Sequence, residues 1–281
     1  MKNNANPYRK IMAVIGIALL AAGITRISRA AADILYVGDF FANTVTRFDA
    51  TTGASLDTLR PFIADTPDVP LRGPTGLIFN RFGKLLVNNQ NVDLPFAGDV
   101  YQYSGQTGIF LGALVSHDSP HAPFAPRGIV LRRNLYLANV QREDSLNNGE
   151  LQVFTQEGQF LHELTPSNAI MSAQRFHPRG LVFGPDGHLY VSNWPDLGAR
   201  PSGDILSFDA EKRAFLGVFA SNTNYSGFTG PEGLVFGLDG NLYTISFRAD
   251  ISDTDKIVVF AGPGKPNAGK KLFADPARCS W

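Results

Sequence analysis

Residues 178–191 read PRGLVFGPDGHLYV, and the chain writes variants of this phrase three more times: PTGLIFNRFGKLLV from Pro74, PRGIVLRRNLYL from Pro126 and PEGLVFGLDGNLYT from Pro231. The glycine of the Pro-x-Gly start falls at Gly76, Gly128, Gly180 and Gly233, at intervals of 52, 52 and 53 residues. A period this regular marks one supersecondary unit stacked repeatedly, and it takes precedence over any local feature.

Each unit reads as four short strands. The first is Leu77–Phe79, Ile129–Leu131, Leu181–Phe183 and Leu234–Phe236 in successive units. The tight turns GPDG (184–187) and GLDG (237–240) follow, with an Asp-Gly pair suited to the positive φ of a hairpin. The second strand is LYV-like, at Leu35, Leu85, Leu135, Leu189 and Leu242. A third alternates apolar and polar residues, as in VYQY (100–103) and ILSF (205–208), and a fourth is FLGAL (110–114) or FLGVF (215–219). No 3.6-residue periodicity intervenes after residue 32, so the pattern is all-β. Four antiparallel strands in each of roughly 40–50 residues is the blade of a β-propeller. Five LYV-like strands predict five blades, with six, or an incomplete ring, as alternatives. The first blade begins at its second strand, DILYV from Asp33, and Asp275–Trp281 (DPARCSW) is the expected donor of its missing innermost strand.

Residues 33–281 therefore form one domain, and residues 1–32 stand outside it. Lys2, Arg9 and Lys10 precede the apolar run Ile11–Ile24, which is shorter than the roughly 20 residues of a spanning helix. Ala30 and Ala32 then supply a small-x-small cleavage pattern, the mark of an export signal helix leading to the periplasm or the outside. Arg26 and Arg29 leave an uncleaved membrane anchor as the alternative. Zero net formal charge gives no electrostatic footprint for nucleic acid or an anionic membrane. The single Cys279 excludes an internal disulfide, so packing must hold the fold. A monomer is expected.

Strand order predicts where function sits. Connections between strands two and three, and between blades, share one face of the disc, and these are the long ones: Gln90–Gly98, Val140–Gly149 and Trp194–Gly203 within blades, Ser116–Ala125 and Thr165–His177 between them. Long loops on a rigid scaffold concentrate binding residues. Two repeat positions converge on that face. The residue inside Pro-x-Gly is Thr75, Arg127, Arg179 and Glu232, and the residue ending the second strand is Asp39, Asn89, Asn139, Asn193 and Ser246. The first position changes chemistry from blade to blade, as a site built on repeats would. The second has a structural reading beside its functional one, because Asn at a strand end commonly bonds the adjoining loop backbone. His177, directly before Pro-Arg-Gly, completes the candidate ligand set of Thr75, Arg127, Arg179, Glu232, Asn89, Asn139 and Asn193. His117 and His121, four apart in HDSPHAP, are a weak metal signal.

PRGLVFGPDGHLYVSN followed by ILSFD resembles the repeat of NHL-type propellers and of the related gluconolactonase (senescence marker protein) and streptogramin lyase families, over nearly all of residues 33–274. The resemblance implies a propeller, and for the lactonases a divalent cation, Ca²⁺ or Mg²⁺, held by oxygen ligands at the channel mouth. Glu232, Asn139, Asn193 and Asp39 are the residues here that offer such ligands. The chain departs from the lactonase pattern, which has Asn inside Pro-Asn-Gly where this chain has Thr75, Arg127, Arg179 and Glu232. Two guanidiniums repel a cation and suit a carboxylate or phosphate. It departs from the lyases too, with YVSN and YTIS in place of a WFTE-like stretch. Two functions follow: an exported module binding a small molecule or protein through its long-loop face, or a lactonase-like hydrolase or lyase acting at the channel mouth.

Overall fold

The computed structural model describes residues 33–59, 71–91, 98–140, 148–173, 175–195, 202–248, 250 and 252–276. The expected signal segment 1–32 lies outside them. Among the described residues no helix is long and apolar enough to cross a membrane.

Five antiparallel sheets follow one another along the chain. Blade one holds β1 (Ile34–Asp39), β2 (Thr44–Asp49) and β3 (Ser55–Thr58). Blade two is β4 (Pro74–Phe79), β5 (Lys84–Asn89), β6 (Asp99–Ser104) and β7 (Phe110–Val115); blade three is β8 (Pro126–Leu131), β9 (Leu135–Asn139), β10 (Glu150–Phe154) and β11 (Phe160–Glu163). Blade four is β12 (Pro178–Phe183), β13 (Leu189–Asn193), β14 (Asp204–Asp209) and β15 (Ala214–Ser221); blade five is β16 (Pro231–Phe236), β17 (Leu242–Ser246), β18 (Lys256–Phe260) and β19 (Lys271–Pro276). Each sheet keeps its strands in chain order, so the protein is an all-β, five-bladed propeller.

Three expectations need correction. Asp275 and Pro276 do not begin an inner strand for blade one; they finish β19, the outermost strand of blade five. The remainder of that segment, 277–281, lies outside the described residues, and among the described residues blade one has three strands. The Asp-Gly turns place only the glycine at positive φ, Gly187 at 84° and Gly240 at 72°. Asp186 and Asp239 serve instead as acceptors, taking the hydroxyls of Tyr190 at 2.9 Å and Tyr243 at 3.0 Å. One short helix, α1 (Asn168–Ser172), sits in the loop before β12 and leans Ile170 and Met171 on the core. Five residues are too few to write a readable helical period.

The blades are held together by one device used repeatedly. The tyrosine of a second strand meets the phenylalanine ending the next blade's first strand edge-on: Tyr36 with Phe79 at 5.1 Å, Tyr136 with Phe183 at 5.2 Å, and Tyr190 with Phe236 at 5.2 Å. Such geometry adds about 1 kcal/mol to area burial per pair. In blade two Leu86 takes this place and packs with Ile129 and Leu131. Nearer the axis, the Pro-x-Gly glycine lets two inner strands touch. A Cβ on Gly76, Gly128 or Gly180 would stand 2.5, 2.4 or 2.3 Å from the carbonyl oxygen of Arg127, Arg179 or Glu232 of the following blade. Around these contacts lie four apolar cores, one at each junction from blade one to blade five.

Candidate functional site

The close approach of inner strands that the glycines permit also gathers the residues between Pro and Gly. Thr75, Arg127, Arg179 and Glu232 line one cavity of about 310 Å³ at the start of the inner strands, with the glycines and apolar residues that follow them. This is the face expected, because each inner-strand proline pairs with the residue ending the second strand, Pro74 with Asn89, Pro126 with Asn139, Pro178 with Asn193 and Pro231 with Ser246.

The four side chains are held differently. The Thr75 hydroxyl donates to Pro126 O at 2.7 Å, which fixes it to the next blade. Arg179 is braced: its guanidinium carbon lies 4.0 Å from the centroid of the Trp194 ring, and Nη1 is 3.9 Å from Glu232 Oε1. Trp194 is locked in turn by its Nε1–H donating to Pro231 O at 2.7 Å. Arg127 has no such frame. Its guanidinium is 5.9 Å from the Phe40 ring centroid, and its buried Nε–H finds no hydrogen-bond acceptor among the described residues.

The asparagines do not join this lining. Asn193 Oδ1 accepts from His177 N at 2.6 Å, and its Nδ2 donates to Arg175 O at 3.0 Å. Asn139 Oδ1 accepts from Ala125 N at 2.8 Å while its Nδ2 donates to Glu150. Asn89 Oδ1 accepts from Arg72 N at 2.6 Å and its Nδ2 donates to Asn91. In blade five Ser246 does the same work, accepting from Thr229 N at 3.0 Å and donating to Thr229 O at 2.7 Å. All four are fully buried. Each staples the incoming inter-blade loop to the second strand, which is the structural reading of this repeat position. His177 is buried and off the cavity lining, its Nδ1–H donating to Trp194 O at 2.7 Å, and Asp39 Oδ1 accepts from Phe41 N and Ala42 N in blade one's turn.

The cavity's chemistry does not fit the divalent cation that the lactonase resemblance implies. Among the described residues Glu232 is the single carboxylate on its wall, two guanidiniums stand beside it, and Oδ1 of Asn139, of Asn193 and of Asp39 is turned to backbone N–H groups. Among the described residues no group of three His, Cys, Asp or Glu is placed to hold a metal. His117 and His121 part company: His117 Nδ1 meets the buried Asp99 at 3.0 Å, whereas His121 stacks on Phe160 at 3.8 Å.

The sequence reading missed Trp194, Asn88 and Ser192. Asn88 Nδ2 donates to Arg127 O at 3.1 Å, and Ser192 Oγ donates to Glu232 O at 2.6 Å, so each polar side chain ties its blade to the carbonyl of the next blade's lining residue. The signal available was the position before the strand-ending Asn, polar in LLVNN and LYVSN and apolar elsewhere.

No family model and no curated protein matches the chain. Solved structures do. A protein assigned as a gluconolactonase superposes with a TM-score of 0.59 at 15% identity, covering 88% of this chain and 75% of its own. A luciferin-regenerating enzyme gives 0.57 at 14%, over 87% and 73%. Regucalcin, a calcium-binding protein from Agrobacterium tumefaciens strain C58, gives 0.56 at 13%, over 87% and 70%. At these identities what is shared is the fold: the chain is a β-propeller of the architecture found in gluconolactonase and regucalcin structures.

Proposed function

We propose that the protein is an exported binding module whose site is the cavity at the head of the inner strands, and that its ligand is a small carboxylate or phosphate. The observation that carries this reading is the Arg127 Nε–H, buried on the cavity wall with no acceptor among the described residues. Leaving a guanidinium donor desolvated and unmatched costs about 1–3 kcal/mol. An anion in the cavity would return that cost through a fork of charge-assisted bonds. Arg179 adds positive potential from the adjoining blade, moderated by Glu232. Export rests on the basic, apolar and small-residue pattern of residues 1–32.

The enzyme reading comes second. It is supported by the shared fold with the gluconolactonase-assigned structure and by Glu232 on the cavity wall. Titration calorimetry with citrate and inorganic phosphate at low ionic strength separates the two. Saturable anion binding that weakens at least about tenfold in Arg127→Ala and ignores chelator supports the module. Calcium binding that is lost in Glu232→Gln, with no anion binding, would overturn it in favour of the metal-dependent hydrolase.

A further inference from the structure

We propose that the ligand of the inner-strand cavity is a small amino acid, its carboxylate bound by Arg127 and its ammonium by Glu232. This deepens the reading of the cavity as an anion site and rests on it. The walls of the cavity are not uniform. One repeat position supplies the Thr75 hydroxyl, the Arg127 and Arg179 guanidiniums and the Glu232 carboxylate from four successive blades. Arg127 brings a buried Nε–H that meets no acceptor among the described residues. Arg179, in the blade between Arg127 and Glu232, is held against the Trp194 ring at 4.0 Å from its centroid. Glu232 brings the complementary demand. Its Oε1 is 3.9 Å from Arg179 Nη1, a charge contact too long for a hydrogen bond. A carboxylate offers about four acceptor positions on its two oxygens. Glu232 lines the cavity with its side chain 25% exposed, so those positions face a ligand.

Both charges are mounted on fixed backbone. The Arg127 carbonyl accepts from Asn88 Nδ2 at 3.1 Å and the Glu232 carbonyl from Ser192 Oγ at 2.6 Å. Each carbonyl also presses on the glycine of the preceding blade, Gly76 or Gly180. A site whose charges are set before the ligand arrives loses little to ordering when it binds. A bare anion fits these walls poorly because the Glu232 carboxylate opposes it, and a bare cation meets two guanidiniums. An amino acid carries an ammonium and a carboxylate together at neutral pH and answers both demands. At about 310 Å³ the cavity stands at the small end of ligand sites, which suits one amino acid in preference to a peptide.

The test is titration calorimetry on the full chain at low ionic strength with matched pairs of compounds: glycine and acetate, β-alanine and propionate, 4-aminobutyrate and butyrate. Each pair shares its carboxylate and differs in the nitrogen. At one chain length or more, the amino acid should bind at least about tenfold tighter than its partner acid. Glu232→Gln should abolish that preference while the plain acid binds as well as before or better. Arg127→Ala should weaken both members of the pair. Glu232→Asp withdraws the carboxylate by one methylene, and should keep the preference while moving it toward the longer amino acid. Thermal midpoints matching the parent's show that the variants fold. Equal binding of amino acid and acid in the parent, or a preference that survives Glu232→Gln, overturns the proposal and leaves the anion site standing. Failure of every pair to bind at millimolar concentration where citrate or phosphate binds has the same meaning. If citrate and phosphate fail as well, the anion site itself is refuted and the proposal with it.

Discussion

Arg179 reaches from blade four to within 3.9 Å of the Glu232 carboxylate of blade five, and this pair sets the charge balance of the cavity. The Arg179 side chain is 6% exposed and that of Glu232 is 25% exposed, so water only partly screens the interaction. Glu232→Gln removes the negative wall while keeping its shape. Citrate affinity should then rise about threefold to tenfold, as two guanidiniums face the ligand without a competing carboxylate. Calorimetry at low salt measures it, and unchanged or weaker anion binding would count against an anion site.

The glycines of the repeat make a paired prediction. Gly180→Ala puts a methyl group 2.3 Å from the Glu232 carbonyl, where only backbone movement can relieve the clash, and should cost about 2–4 kcal/mol. Gly233→Ala meets open space and should change stability by no more than about 0.5 kcal/mol. Urea denaturation of the two variants compares them directly. Equal effects would mean that blade five is covered in solution.

Much of this was legible in the sequence because repeats average out local noise. The Pro-x-Gly phrase located the inner strands, and the x position located Thr75, Arg127, Arg179 and Glu232 on one cavity. What could not be read was how polar side chains divide their bonds. Asn89, Asn139 and Asn193 have the composition of ligands, yet a strand end beside an incoming loop offers them backbone partners closer than any cavity. Trp194 was missed although it follows the strand-ending Asn193: its contact with Arg179 lies within the β12–β13 hairpin of blade four, where Pro178 pairs with Asn193, and rests on side-chain orientations that the repeat does not write. The tail 275–276 was misread because the fourth strand of blade five, KLFADP, lacks the FLG pattern of its counterparts.

The loop-stapling role gives a third prediction. Asn193→Ala removes the acceptor of His177 N and the donor to Arg175 O in a fully buried setting. Leaving those backbone groups unmatched should cost about 2–4 kcal/mol. His177 would lose its anchor and Trp194 its neighbour, so anion affinity should fall as well, through Arg179. The strand-ending variant Asn193→Ser, which copies the Ser246 solution of blade five, should recover part of the stability. A neutral Asn193→Ala in urea denaturation would refute the staple.

Alkaline stability supplies the last prediction. Burial pushes the Tyr103 hydroxyl well above the usual phenol range, and that hydroxyl has no hydrogen-bond partner among the described residues. Burial also raises Tyr101, with Asp99 nearby, and Tyr190, whose hydroxyl bonds Asp186. A folded-state pKa above the unfolded one means stability is fully present below the unfolded value of about 10 and is lost as pH rises beyond it. Ultraviolet titration should therefore show these phenols ionising together with unfolding instead of singly. Tyr103→Phe removes a desolvated hydroxyl and should leave stability at pH 7 unchanged or raised by up to about 1 kcal/mol. Its loss of stability above about pH 10 should be shallower than the parent's by one proton's worth of slope. A Tyr103→Phe protein destabilised by more than about 1 kcal/mol at pH 7 would show that the hydroxyl has a partner in solution.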